Sequence, residues 1–258
     1  MWQERQIVTI GTLVWITVGL WFWIWPSVAL AVWQGWAAGL WLLAAALFGR
    51  ALGVFAYNRL SFWHHGVHMV YDAGSLIRVP WRSSWAALTL YATLDGLIIG
   101  MGVATGLPQG RWWMALITMG VAVVITNLTV VLYNHVVVPF YGGWQWQEER
   151  GIHRVRISRL VPNQTRLLFA TLAYSWVIVG LVILIVTMGV VFTLIAPALP
   201  KGFFSLGVVV FSAFVVAIAG FLLAVLVGWW FYWGAMCYNR WGPRHGLALD
   251  VKIAEVQL

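Results

Sequence analysis

Acidic side chains are scarce in this chain and thiols almost missing. Only seven Asp and Glu stand among 258 residues, and Cys237 is the single cysteine. One thiol excludes an intrachain disulfide framework. A glycine-rich phosphate loop, a serine-nucleophile motif and a zincin signature are also lacking, which removes the best-marked enzyme classes. Charge is thin overall, at 9% of residues against roughly 25% in a soluble domain. What fills the space is apolar: 62% of the chain is hydrophobic, with 20 tryptophans. Apolar runs exceed the roughly 20 residues that cross a bilayer, so the chain reads as a polytopic membrane protein. The stretch MWQERQIVTIG lacks a basic n-region and a small-residue cleavage site. The first span is therefore expected to be retained.

A net charge of +8 would suit a nucleic-acid partner, but its placement argues for a membrane. Of fifteen Lys and Arg, only Arg111 and Lys201 fall between the two spans of a hairpin; the rest lie on the side of residue 1. This asymmetry predicts both termini on the cytoplasmic side. Anionic lipid headgroups are the expected partner there, and no nucleic acid is expected.

The apolar pattern predicts six spans in three hairpins: Ile7–Trp25 with Trp33–Tyr57, Trp85–Gly106 with Trp112–Tyr133, and Leu167–Ile195 with Phe203–Tyr238. The first turn is placed near Pro26 and Ser27 and the second at LPQGR. APALPKG makes the third. The last run exceeds one perpendicular crossing, so tilt or an interfacial extension is expected. Tryptophans at the predicted ends, Trp21, Trp23, Trp25, Trp33 and Trp36 among them, read as anchoring belts. Between hairpins the period changes to two. VHMVY-DAG-SLIRV and GWQWQ-EERG-IHRVRI read as β-hairpins, and LALDVKIAEVQL as a further strand. Strands need an aqueous phase, so they form a small cytoplasmic β layer.

The fold class expected is thus mainly α and integral to the membrane, with a small antiparallel β layer. One ending recurs three times, as Tyr57-Asn58, Tyr133-Asn134 and Tyr238-Asn239, each followed by a glycine and an alternating segment. Two ramps also match, IRVPWRSSW and SRLVPNQTRL. The repeat divides the chain into units 1–71, 72–147 and 148–258. Residues "IRVPWRSSWAALTLYATLDGLIIGMGVATG", "TVVLYNHVVVPFYGG" and "GLALDV" resemble the small two-span prokaryotic membrane proteins of unknown function that open on a Val-Pro-Ser ramp and close on Tyr-Asn…Gly-Gly-Ile. The resemblance implies a repeated fold unit, possible in a pseudo-threefold arrangement, and no particular activity. Physically, a Tyr ring suits the acyl boundary with its hydroxyl in water. Asn suits a helix C-cap, and Pro139 and Pro243 stop continuation.

Within the spans the polar residues are few. Asp95 falls near mid-bilayer, where a carboxylate costs at least about 2.5–3.5 kcal/mol, so it is a functional hypothesis by default. Three readings stay open: a pair with Arg50 or a protonated, hydrogen-bonded carboxyl, contact with Asn127, or a transport relay. Gly96 and Gly100, Gly102 and Gly106, and Gly220, Ala224 and Gly228 stand four apart and let helices approach closely. Internal packing is their expected service, with self-association or partner docking as the rival. His64, His65 and His68 are weak metal candidates, and the histidines all avoid mid-span positions. No cofactor is expected, although a pigment held without side-chain ligands stays open. Alternating strands and small-residue faces point to a non-enzymatic structural or accessory subunit of the prokaryotic cell membrane. Partner proteins or self-association follow from that, with an Asp95-dependent channel or transporter as the alternative.

Overall fold

The computed structural model describes residues 12–64, 67–106, 111–150, 154–195, 206–245 and 248–252. Long helices dominate: α1 Thr12–Gln34, α2 Trp36–His64, α3 Trp81–Gly106, α4 Trp113–Leu132, a short α5 Val138–Tyr141, α6 Pro162–Ile195 and α7 Leu206–Trp241. Five of the apolar stretches are long enough to cross a membrane: Trp36–Ala56, Trp81–Gly106, Trp113–Tyr141, Pro162–Thr187 and Val210–Trp241. This is a membrane protein. With water absent from the bilayer core, these runs become helices because only a helix satisfies all its own backbone groups.

The helices pack as α1–α2, α3–α4 and α6–α7 pairs, with α2 also lying along α3. The first turn differs from its expected place. Pro26 lies inside α1, which continues to Gln34, and the chain reverses at Gly35 with φ 97°. Proline removes one donor and kinks a helix without having to end it. A one-residue reversal needs a positive φ that glycine adopts freely. This shift moves Trp21 about 20 Å from the turn by helical rise, so it is not an anchor at the helix tip. Trp33 and Trp36 hold that place and are exposed at 81% and 73%.

Both α6 and α7 outreach the hydrocarbon. At 34 and 36 residues they run roughly 50 Å, against a core of about 30 Å. The LPQGR and APALPKG turns lie largely or wholly outside the described residues.

Five strands form one antiparallel sheet in the order β1-β2-β3-β4-β5: Val70–Asp72, Ser75–Arg78, Trp144–Arg150, Arg154–Leu160 and Leu249–Lys252. The DAG turn forms where the pattern places it. Gly74 takes φ 72°, and Asp72 Oδ1 accepts the Ala73 amide at 2.8 Å. The second hairpin is longer than expected, because Glu148, Glu149 and Arg150 remain in β3 and pair with β4. Three small clusters join this sheet to the helices, and Leu76 packs against each of them. Elsewhere the helices show apolar faces outward, Phe211, Phe214 and Leu226 for example, which is what lipid contact requires.

Candidate functional site

The Tyr-Asn endings do not end their helices. Around the second, α4 widens into a π turn, Tyr133–Val137, and continues as α5. Pro139 falls in the first turn of α5, where a missing amide is tolerated. The stop comes at Gly142, with φ 70° and its amide donating to Val138 O. Around the third, α7 runs past Tyr238 and Asn239 to Trp241. The expected helix cap is therefore wrong for both asparagines, and their side chains do something else.

Asn134 grips one residue of the ramp. Its Oδ1 accepts the Val79 amide at 3.0 Å and its Nδ2 donates to Val79 O at 2.5 Å. Asn239 does the same to Leu160, at 2.7 and 2.9 Å. A carboxamide carries one acceptor and a donor group side by side, so it substitutes for a neighbouring strand. Val79 and Leu160 stand where β2 and β4 leave the sheet for the membrane. An unpaired buried backbone group there would cost about 1–3 kcal/mol.

The tyrosines complete the arrangement. Tyr133 Oη donates to Leu76 O and accepts the Trp144 amide, the latter at 3.0 Å. Tyr238 Oη donates to Ile157 O at 2.6 Å and accepts the Leu249 amide at 3.0 Å. Each hydroxyl thus bridges a residue pair already in register across two strands, Leu76↔Trp144 and Ile157↔Leu249. Expected to hold its hydroxyl in water, Tyr133 is instead buried at 6% exposure. Burial needs a fully used hydroxyl, and two strand ends supply both partners. Both clamps reach the same sheet, so α4 and α7 carry these tyrosines toward the same end of the bundle. Side chains of Tyr57 and Asn58 lie outside the described residues.

One buried hydroxyl sits five residues beyond each gripped position. Ser84 Oγ accepts the His68 amide at 2.8 Å and donates to His68 O at 3.1 Å. Thr165 Oγ1 accepts Trp144 Nε1 at 3.1 Å and donates to Val161 O at 3.0 Å. Both residues stand in the matching ramps, and their equal offset from Val79 and Leu160 is the signal in the sequence for these contacts.

Asp95 is buried at 7% exposure, and its Oδ1 has no hydrogen-bond partner. It faces α2 beside Gly53, where Arg50 comes within electrostatic reach. Asn127 belongs elsewhere. Its Oδ1 accepts Trp81 Nε1 at 3.0 Å, and its Nδ2 donates to Thr89 Oγ1 at 3.1 Å and Val123 O at 3.0 Å. Of the three open readings of Asp95, contact with Asn127 is not the one seen: Asn127 belongs to this other network.

The small residues are used internally. A Cβ on Gly96 would lie 2.8 Å from Met119 Cα, and one on Gly100 would lie 2.6 Å from Ala115 Cα, both on α4. Gly102 and Gly106 turn the other way, onto Ala45 and the Trp41 ring of α2. Trp41 Nε1 also donates to Gly102 O at 2.7 Å. Gly220 and Gly228 meet Val177 and Arg166 of α6, and Ala224 between them is buried. Trp230 of α7 stacks on Trp21 of α1 at 4.0 Å and donates to Trp21 O at 3.1 Å.

Among the described residues no cluster of three His, Cys, Asp or Glu could hold a metal. His65 and the His64 side chain lie outside them, and His68 contributes its backbone to Ser84. Compared with protein-family models, curated proteins and solved structures, the chain matches none.

Proposed function

We propose that this protein is a non-enzymatic structural or accessory subunit of a larger membrane complex. In this reading it has six spans in the prokaryotic cytoplasmic membrane, with α1 as the sixth and both termini cytoplasmic. Three tandem copies of a two-span unit, like the small prokaryotic proteins named above, build it around an approximate threefold axis. The observation that carries this reading is the sheet. It is bonded to α4 and α7 by matched side-chain clamps, and among the described residues no strand pairs the outer edge of β1 or β5. A sheet edge on a rigid support is a surface that another chain can extend. Support for the triplication comes from the identical bonding at Tyr133-Asn134 and Tyr238-Asn239, and from the Trp21–Trp230 stack that brings the last helix against the first. The thirteen-to-two split of basic residues supports the orientation. Exposed Arg78, Arg82, Arg156 and Arg159 suit anionic headgroups.

Purification in a mild detergent, followed by mass spectrometry of the intact assembly, tests this. A partner at fixed stoichiometry is expected, and a lone chain with full activity in a flux assay would overturn the reading. The second reading is an ion or small-solute pathway through Asp95, favoured by its buried Oδ1 without a hydrogen bond. Asp95→Asn separates the two. A subunit keeps its partners and stays folded, whereas a transporter stays folded and loses flux. An absorbance spectrum of the same preparation tests for a bound pigment.

A further inference from the structure

Arg166 is the single charged residue of α6, as Arg240 is of α7. It stands one turn into its helix, six positions after Leu160 at the end of β4. One turn is about 5.4 Å, close to the depth of one polar headgroup layer, roughly 5–7 Å. Its side chain lies across α7, with Cζ 5.1 Å from the centre of the Trp229 ring. Gly228 makes that crossing possible. A Cβ there would lie 3.0 Å from Arg166 O and 3.2 Å from Arg166 Cγ, so the bare backbone lets the arginine stem pass close to α7. Trp229 belongs to a small aromatic shelf. Tyr232 meets it edge-on at 5.5 Å and 68°, and Trp233 meets Tyr232 at 6.3 Å and 89°. Trp229 and Trp233 are exposed, and Arg166 is half-buried. Away from the sheet, Leu222, Val225 and Leu226 stand three to seven positions before Trp229 and are exposed too, which continues one face of the helix.

The repeated unit does not demand this pair. In the second unit the same two places, six after the gripped ramp residue and nine before the tyrosine, hold Trp85 and Val124. Both are exposed and neither carries charge. A tryptophan and an aliphatic residue fill these places as well, so the cation of the third unit has a separate reason. A guanidinium is costly at membrane depth unless it finds acceptors, and an aromatic face attracts it without supplying oxygen. Its five N–H donors form a planar fork that matches phosphate geometry. At this depth the abundant oxygen acceptors are lipid phosphodiesters.

We propose that Arg166 on Trp229 is a phospholipid site in the leaflet on the sheet's side. The guanidinium holds the phosphodiester, Tyr232 and Trp233 flank the headgroup, and an acyl chain lies along Leu222, Val225 and Leu226. Trp229 holds the guanidinium in place beforehand, so less freedom is lost on binding. The acyl track separates a lipid from free phosphate, which would use the arginine alone. This site goes beyond the subunit reading and does not depend on it, since it asks only that α6 and α7 stand in a bilayer.

Native mass spectrometry of the whole protein, delipidated in detergent and titrated with phosphatidylglycerol, tests it. A first lipid is expected to bind saturably. Arg166→Gln should weaken it at least about tenfold, the scale of one lost charge-assisted contact. Trp229→Leu should weaken it about threefold or more, because the cation is no longer held. Arg240→Gln removes an exposed charge about 16 Å farther along α7 and should change the affinity less than about twofold at 0.1 M salt. Arg166→Trp copies the second unit and keeps the test open if Arg166→Gln fails to fold; it should lose the first lipid as well. Unchanged affinity in a folded Arg166 variant overturns the proposal. So does equal binding of diacylglycerol, which lacks the phosphate. Displacement of the lipid by inorganic phosphate at equal concentration would make this a free-anion site and overturn the lipid assignment. A chain that has no protein partner, yet loses its first lipid in the Arg166 variants, would end the subunit reading and leave this site standing.

Discussion

Tyr133-Asn134 and Tyr238-Asn239 deliver the same bonds from helices of different form. At the first, the helix widens into a π turn and runs on through Pro139 to Tyr141. At the second, it is α-helical to Trp241, and Pro243 stands beyond the end. Burial differs too: Tyr133 is enclosed by Leu132, Val137, Leu168 and Leu172, whereas Tyr238 is only half-buried. Two backbones that differ in winding reach one bonding pattern. The invariant part is the distance along the chain, since in both cases the bridged tail residue is eleven positions after the tyrosine. The helix adapts; the side-chain grip on the sheet does not.

The comparison breaks most severely if both asparagines are removed. Asn134→Ala with Asn239→Ala leaves four backbone groups unpaired, at about 1–3 kcal/mol each. Loss of protection across β2 to β5 in hydrogen exchange is the expected outcome. Because the two ramps share β3, their effects should not add, and a double-mutant cycle measures the coupling. Singly, the substitutions should cost nearly the same, about 2–6 kcal/mol in a reversible unfolding titration. A cost confined to one would show that the match is geometric only.

Tyrosine sharpens the contrast. Removing the hydroxyl in Tyr133→Phe strands a buried carbonyl and amide, for about 2–3 kcal/mol, while Tyr238→Phe should cost about 1 because water can reach its partners more easily. Equal losses would mean that burial does not decide the energetics. The smallest effect is expected at Pro139. Pro139→Ala restores one amide in the first turn of α5, where it has little to bond, and should shift stability by less than about 0.5 kcal/mol. A large change would tie the π turn to the proline and not to the grip on Val79.

Much of this architecture was readable before any coordinates. Apolar length marked five of the spans, because a run of about 20 apolar residues has few other fates. The DAG hairpin was legible since Asp and Gly have specific turn roles. The spacing of Gly96, Gly100, Gly220 and Gly228 announced close helix approach, but not which neighbour would fill each gap. Other features were hidden. Pro26 was taken for a breaker because local chemistry cannot say whether a kink will be tolerated by packing. The Tyr-Asn pair reads locally as an interfacial anchor and cap, since the ramp residues that it holds lie 55 to 81 residues away and no local pattern encodes them. Contact between Asn127 and Asp95 is one of three readings the sequence leaves open, and the fold gives Asn127 to Thr89 and Trp81 instead.

By itself the sequence determined the element types: long helices for the apolar runs and strands for the alternating ones. Hydrophobic transfer and backbone satisfaction act locally, so composition and period suffice to state them. Only the tertiary structure decided which carbonyl each tyrosine holds and which strand each asparagine stands in for. A hydrogen bond between distant residues depends on angles and tenths of an ångström, and those exist only once helices and strands have met.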